Sequence, residues 1–340
     1  MKIATRPRGG QAATLESVGK LAGVSRSTVS RVINASPGVS QKATDAVLEA
    51  IEQLGYVPNQ LAKSLASKRT SVVTALIPED LDRFFVDPFF SSIVAGIESY
   101  VSETDLVLNM MIASQKSFQK IVNSLAGGRA DGLLVLSHHS DHELGESLRR
   151  KMPVVYGGRA TDNAADASYV DVDNVAAAKT AVEALLRAGC KKIGTITGRL
   201  DMPVGADRLQ GFTEAVTEAG VSGPVVYGDF TAEGGREAAR KLISGDQEFD
   251  GLFIASDLMA RAAVDTLLES GLRVPEDVAV VGFDDSTAAT SSHPYLTTIR
   301  QDPYEQGRAM AQLLSERMRN PEMPPRAVLL NTWLVERETT

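Results

Sequence analysis

The sequence predicts an α/β protein in three parts: a small N-terminal unit of three helices containing a helix-turn-helix, a short connecting segment, and a large body of parallel sheets arranged as two lobes. Three observations carry this expectation. Residues 14–54 show three short helical patterns separated by tight breaks. From Ser71 onward, short apolar runs rich in β-branched residues alternate with helical stretches, and they do so in two successive series. The charge is divided the same way, with a net +6 over residues 1–70 and −14 over residues 71–340, although the whole chain carries −8. A length of 340 residues leaves room for two or three such units, each with a buried core.

Composition excludes several classes. No run approaches the roughly 18 apolar residues that a membrane span needs, and the 43% hydrophobic and 23% charged content is ordinary for an α/β protein. Residues 1–13, "MKIATRPRGGQAA", are basic but have neither an apolar h-region nor a small-residue cleavage site, so the expectation is a flexible leader on a cytoplasmic chain. A single cysteine, Cys190, excludes an internal disulfide and a thiolate zinc cluster. A basic head on an acidic body is the distribution that duplex binding demands, because phosphates need cations only where they are touched.

In the headpiece, expected over residues 14–57, Thr14 is a good N-cap and Leu15, Val18, Leu21 and Ala22 share a helical face. The pattern breaks at Ala22-Gly23-Val24, Ser25 caps a second helix, and Val29, Val32 and Ile33 point its apolar side inward. A third helix follows Ser40, with Ala43, Val47, Ala50, Ile51 and Leu54 in period, and stops at Gly55. With these apolar positions inward, Arg26, Ser27, Ser30 and Arg31 remain outward near the start of the second helix, where a recognition helix meets base edges. Small hydroxyls let such a helix sit deep in the major groove, while an arginine reaches guanine O6 and N7 with two hydrogen bonds. The segment at residues 58–70, "PNQLAKSLASKRT", has too few apolar positions for a core of its own, and a helix this short is marginal in isolation.

Residues 14–70 resemble the headpiece of the lactose-repressor (LacI/GalR) family, carried by "AGVSRSTVSRVIN", "VSQKATDAVLEAIEQLGYVPN" and "QLAKSLASKRT" in order and spacing. The resemblance implies base reading by Arg26, Ser27 and Arg31, and phosphate or backbone contacts by Ser25, Thr28, Ser30, Asn34, Ser40, Tyr56 and Asn59. Ala43 departs from the threonine common in the family. It further implies that residues 58–70 form a hinge helix that folds against its dimer mate on operator DNA, with Leu65 as the wedge that unstacks a base step.

In the body the runs "SVVTALIP", "LVLNMMI", "DGLLVLS" and "PVVYGG" form one strand series, and "KKIGTITG", "PVVYGDF", "DGLFIAS" and "DVAVVGFDD" the other. Such near-continuous apolar strands are those of parallel sheets covered on both faces. The tail adds a strand and helix in "LTTIRQDPYEQGRAMAQLLSERM" and a final strand in "AVLLNTWLVE". The family resemblance continues here and implies a type I periplasmic-binding-protein-like body. Its chain crosses between lobes near residues 170, 300 and 328, giving an N-lobe of about 71–170 and 300–327 and a C-lobe of about 171–299 and 328–340. Open α/β sheets bind ligands beyond the carboxyl ends of their strands. Standing there are "DPFF", "YGGR", "GDF", "ASD" and "GFDD", with Arg208 in the helix that follows. Aromatic faces mixed with Asp and Arg suit a neutral polyol, whose rings stack while its hydroxyls bond charged groups. The resemblance implies that Arg208, Phe230 and Asp284 hold the effector, with Phe90, Arg159 and Asp257 in comparable segments. "YGGR", "SYVDVDN", "GDFT" and "VVGFDDS" are most similar to actinobacterial members that respond to cellobiose or related β-glucosides.

The cluster His138, His139 and His142 follows a strand and has no cysteine or HExxH-type base beside it, so no metal is expected, nor any cofactor. The paired acids Asp171/Asp173 and Asp284/Asp285 do not form the pair across a bond that a glycosidase needs, and catalysis has no positive support. Two alternatives remain: a non-regulatory sugar-binding protein or enzyme on the same body, and a DNA-binding regulator whose body senses a protein partner. The basic head and the lack of a signal peptide oppose the first, and the aromatic-rich cleft opposes the second. The expectation is a homodimeric transcriptional repressor on a pseudo-palindromic operator, released by a small carbohydrate, with no membrane partner and no leucine heptads for a tetramerising tail.

Overall fold

The computed structural model describes residues 13–33, 37–56, 70–139, 144, 146–160 and 167–340. The chain divides into two compact units, Met1–Thr70 and Ser71–Thr340. The first contains α1 (Leu15–Ala22), α2 (Arg26–Ile33) and α3 (Gln41–Leu54). Thr14 and Ser17 form a reciprocal cap at the start of α1, with Ser17 N donating to Thr14 Oγ1 at 3.2 Å and Thr14 N to Ser17 Oγ at 2.8 Å. Gly23, at φ 67°, ends α1 in the left-handed region, and Ser25 Oγ accepts from Thr28 N at 3.1 Å to open α2. Ser40 and Gly55 bound α3 in the same manner. Val18, Val29, Val47, Ala50 and Tyr56 close one small core. Leu21, expected on the inward face of α1, is instead 49% exposed, because Val18 and Gly19 take the contact with the neighbouring helices.

The second unit holds two six-stranded sheets. One contains β1 (Val72–Ile77), β2 (Val107–Ile112), β3 (Gly132–Leu136), β4 (Val154–Gly157), β5 (Ser168–Val172) and β11 (Ala327–Leu330), in the spatial order β2-β1-β3-β4-β5-β11, all parallel. The other contains β6 (Ile193–Thr197), β7 (Val225–Tyr227), β8 (Gly251–Ile254), β9 (Ala279–Asp284), β10 (Thr297–Arg300) and β12 (Trp333–Val335), in the order β7-β6-β8-β9-β10-β12, with only β12 antiparallel. Helices cover both faces: α4 (Leu81–Val86), α5 (Pro88–Val101), α6 (Gln115–Leu125), α7 (Glu146–Arg149) and α12 (Pro303–Arg319) around the first sheet, and α8 (Asn174–Arg187), α9 (Pro203–Glu218), α10 (Ala232–Ser244) and α11 (Asp257–Glu269) around the second. The pleat sorts the side chains, so that Val280 enters one core layer while Ala279, Val281 and Phe283 enter the layer on the opposite face.

Two features differ from the sequence expectation. "SYVDV" was not among the expected strands, yet it forms β5, its Asp171 buried by hydrogen bonds from the backbone of Arg159 and Val172. "AVLLNTWLVE" is two strands rather than one. Its first half pairs with β5 and its second with β10 in the other sheet. The third crossing therefore falls at Asn331–Thr332 and not near 328, since Val328 is hydrogen-bonded in register with Val170. The other two crossings lie after β5, at Asp173, and after β10, at Gln301–Asp302.

Candidate functional site

In both sheets the strand order reverses direction beside the first strand, at β1/β3 and at β6/β8, and such switch points leave a crevice beyond the carboxyl ends. Loops from both sheets line one cavity, a concave crevice of the kind that takes small molecules. Arg208, on α9, is 3% exposed and forms its polar centre. Its Nε donates to Asn174 Oδ1 at 3.0 Å, its Nη1 to the Ala255 carbonyl at 2.5 Å, and its guanidinium lies 3.4 Å from the centroid of the Phe283 ring. Nη1 is also 3.7 Å from Asp284 Oδ1. Burial pushes the Asp284 carboxyl up to about 7, against the pull of the Arg208 charge, and burial likewise lowers the Arg208 guanidinium.

Backbone strain concentrates in this wall: Ser137, Phe230 and Asp284 all line the cavity and have φ of 55°, 68° and 115°. Non-glycine residues persist there only when their surroundings hold them. At Phe230 the restraint is visible, since a Cβ at Gly198 would stand 1.9 Å from the ring, so the ring lies flat against bare backbone. Among the described residues, three contacts join the two lobes across the cleft. Arg159, after β4, holds Asp207 of α9 through Nε–Oδ2 at 3.2 Å and Nη2–Oδ1 at 2.6 Å. His139, after β3, stands 3.0 Å from Asp201 Oδ2 through Nδ1 and 3.0 Å from Glu79 Oε1 through Nε2. Arg83, on α4, lies 5.7 Å from the centroid of the Phe230 ring.

In the headpiece, Arg26, Ser27 and Arg31 are exposed on α2, and Ser25 is exposed at its start. Arg26 is occupied in the free chain, its Nη1 3.0 Å from Glu16 Oε1 on α1. The Ser25 hydroxyl lies 2.7 Å from that of Ser27 and 2.9 Å from that of Thr28, which joins three of the candidate DNA contacts in one hydroxyl cluster. Tyr56 packs in the headpiece core at 9% exposure, leaving little of it for a phosphate. Asn34, Asn59 and Leu65 lie outside the described residues, as does His142.

Known proteins resemble the chain over its length. The family model for bacterial regulatory proteins of the lacI family matches residues 14–59, and that for the periplasmic binding protein-like domain matches residues 182–340. The HTH-type transcriptional regulator CelR of Thermobifida fusca is 42% identical over 334 residues, covering 96% of this chain and 98% of the relative. The chain belongs to the lacI family of bacterial transcriptional regulators. Catabolite control protein A of Priestia megaterium is 32% identical, covering 90% of this lacI-family chain and 92% of the relative. Among solved structures, a transcriptional regulator CelR–cellobiose complex superposes with a TM-score of 0.77 at 40% identity, covering 96% and 100% of the two chains. The lac repressor dimer bound to operator and the anti-inducer ONPF gives 0.86 at 26% identity, covering 97% and 99%. The relatives are DNA-binding regulators and not enzymes, and so is this lacI-family chain.

For this regulator, the structure brings Phe90, Arg159, Arg208, Phe230 and Asp284 to the cavity wall. Phe90 is only 2% exposed and packs against Phe84 and Phe89, so it is chiefly core, while the half-buried Phe89 presents more of its ring. Asp257 is a correction. It is fully buried behind the wall, accepting from Thr298 Oγ1 at 2.6 Å and Ser286 N at 2.8 Å, where it ties the start of α11 to β10 and to the turn after β9. Ser256 caps α11. Sequence reasoning left out Arg83, Ser137, Gln301 and Gln306, all on the wall, while Asp87 of "DPFF" and His138 join them there. The carboxyl-end rule that picked out "YGGR" applies equally to Ser137 and His138 at the end of β3. Arg83 and Gln306 sit on helices, where that rule gives no signal. Among the described residues no group of three or more potential ligands is placed to hold a metal ion, and no helix is long and apolar enough to cross a membrane.

Proposed function

We propose that this lacI-family chain is a homodimeric, cytoplasmic repressor of carbohydrate-utilisation genes that binds a pseudo-palindromic operator through α2 and releases it when a small β-glucoside such as cellobiose enters the interlobe cavity. Operator symmetry follows from dimer symmetry. In this reading Arg26, Ser27 and Arg31 read bases, with Leu65 as the hinge wedge. Ser25, Thr28, Ser30, Asn34, Ser40 and Asn59 contact the backbone. Arg208 donates to sugar hydroxyls, Asp284 accepts from them, and Phe230 and Phe89 supply ring faces. The supporting observation is the placement, in one cavity, of a strained aromatic residue beside a buried arginine and the part-exposed Asp284, in a chain whose 40%-identical structural neighbour is a cellobiose complex.

If sugar is to release DNA, it must bind the DNA-free arrangement more tightly than the DNA-bound one, since a ligand shifts an equilibrium only by its differential affinity. The test is a titration of the full chain, bound to a duplex it has selected from random sequence, with cellobiose, glucose and ribose. Cellobiose should release the duplex, and Asp284→Ala should hold the same duplex with wild-type affinity while failing to respond. A wild type that no sugar of the panel affects, or an Asp284→Ala variant with full response, overturns the reading.

A further inference from the structure

The interlobe cleft holds a second hollow, and the wall between it and the first is made by three residues that line both: Arg83, Asp87 and Phe230. The outer hollow is bordered by Asp80, Asp82, Asp229, Thr231, Glu233 and Leu258, hydrogen-bonding groups with an apolar side that a further sugar unit could use. We propose that Arg83 is the length-selecting residue of this regulator: its guanidinium, held against Phe230, closes the inner cavity to oligosaccharides that would extend into the outer hollow. This rests on the carbohydrate reading above.

Three features of Arg83 support the assignment. It is anchored on its own lobe, with Nη1 donating to Glu79 Oε2 at 3.0 Å, and Glu79 is itself fixed by Ser137 and by His139. It reaches the other lobe, lying over the Phe230 ring and placing Nη2 3.9 Å from Met202 Sδ, so the partition exists only while both lobes contribute to it. Its Nε is buried and finds no hydrogen-bond partner among the described residues, a donor that a sugar hydroxyl at the end of the inner cavity would satisfy. A ligand ending at Arg83 gains that bond, whereas a longer one must displace the guanidinium from the ring and loses it. Specificity of this kind is a difference of affinities, set as much by what a wall refuses as by what it contacts.

The experiment is calorimetric titration of the full chain with cellobiose and with cellotriose, for wild type, Arg83→Ala and Arg83→Gln, the second variant retaining the aliphatic stem should the first fail to fold. Wild type should prefer the disaccharide, and the ratio of trisaccharide to disaccharide Kd should fall by about tenfold or more in both variants, the weight of one charged hydrogen bond. An unchanged ratio in variants that still bind cellobiose overturns the proposal, as does a wild type that binds both sugars equally. If wild type binds neither sugar, it is the carbohydrate reading that fails, and the length proposal falls with it.

Discussion

At the scale of single residues, the cleft is built around charge that burial makes costly. Asp284 keeps a proton to about 7 in the folded chain, whereas its ordinary carboxyl releases it near 3.8, so the folded state binds the extra proton between those values. Stability contributed by this group is therefore complete below 3.8 and declines as pH rises towards 7. In Asp284→Asn that slope disappears, so the urea-unfolding stability of wild type relative to the variant should fall between pH 5 and pH 8. A pH-independent difference would show that Asp284 titrates normally. In the proposed base-reading role, Arg26 must leave Glu16 to reach a base. Arg26→Ala should weaken cognate binding on the order of tenfold or more and relax preference at one base per half-site. Glu16→Gln should instead tighten operator binding at low salt, an effect that fades as salt screens the pair. Arg26 was legible in the sequence as an outward donor, and its partner was not, because Glu16 lies on another helix and only the turn at Gly23 brings the two together.

At the scale of elements, local chemistry accounts for the ends and long-range contact for the joints. The reciprocal Thr14–Ser17 cap is a local device, and Thr14→Ala should lower the opening free energy of α1, read by amide hydrogen exchange, by about 1 kcal/mol. The joint between α5 and α12 is different in kind. A Cβ on Gly96 would stand 1.9 Å from the Tyr304 carbonyl oxygen, and one on Gly307 2.0 Å from that of Ile93, so both helices present bare backbone where they cross. Gly96→Ala must push the helices apart and should destabilise the body by about 1–3 kcal/mol in urea unfolding, with a change in the midpoint at constant slope. Nothing in the helical period of either segment distinguishes these glycines. Periodicity reports which face is apolar, whereas the closeness of a crossing is set by a partner some two hundred positions away.

For the whole molecule, the division at Ser71 and the opposite charges of the two units make separable demands on experiment. A chain beginning at Ser71 should retain sugar binding and lose operator binding, and the affinity of the full chain for operator should fall steeply and log-linearly with salt as counterions return to the phosphates. Retention of operator binding by the shortened chain would place the duplex contacts elsewhere. By itself the sequence determined the helix-turn-helix, the two strand series, the acidic and basic halves and most of the cavity wall. Caps, apolar period and the carboxyl ends of buried strands are properties of a few neighbouring residues, written where they act. Only the tertiary structure decided that "SYVDV" is a strand, that "AVLLNTWLVE" serves two sheets, and that Asp257 braces the cavity wall from behind instead of facing ligand. It also decided that Arg83, His139 and Arg159 span the lobes. Each of these depends on which distant segments meet, and hydrogen-bond partners and burial exist only once the three interlobe crossings have brought those segments together.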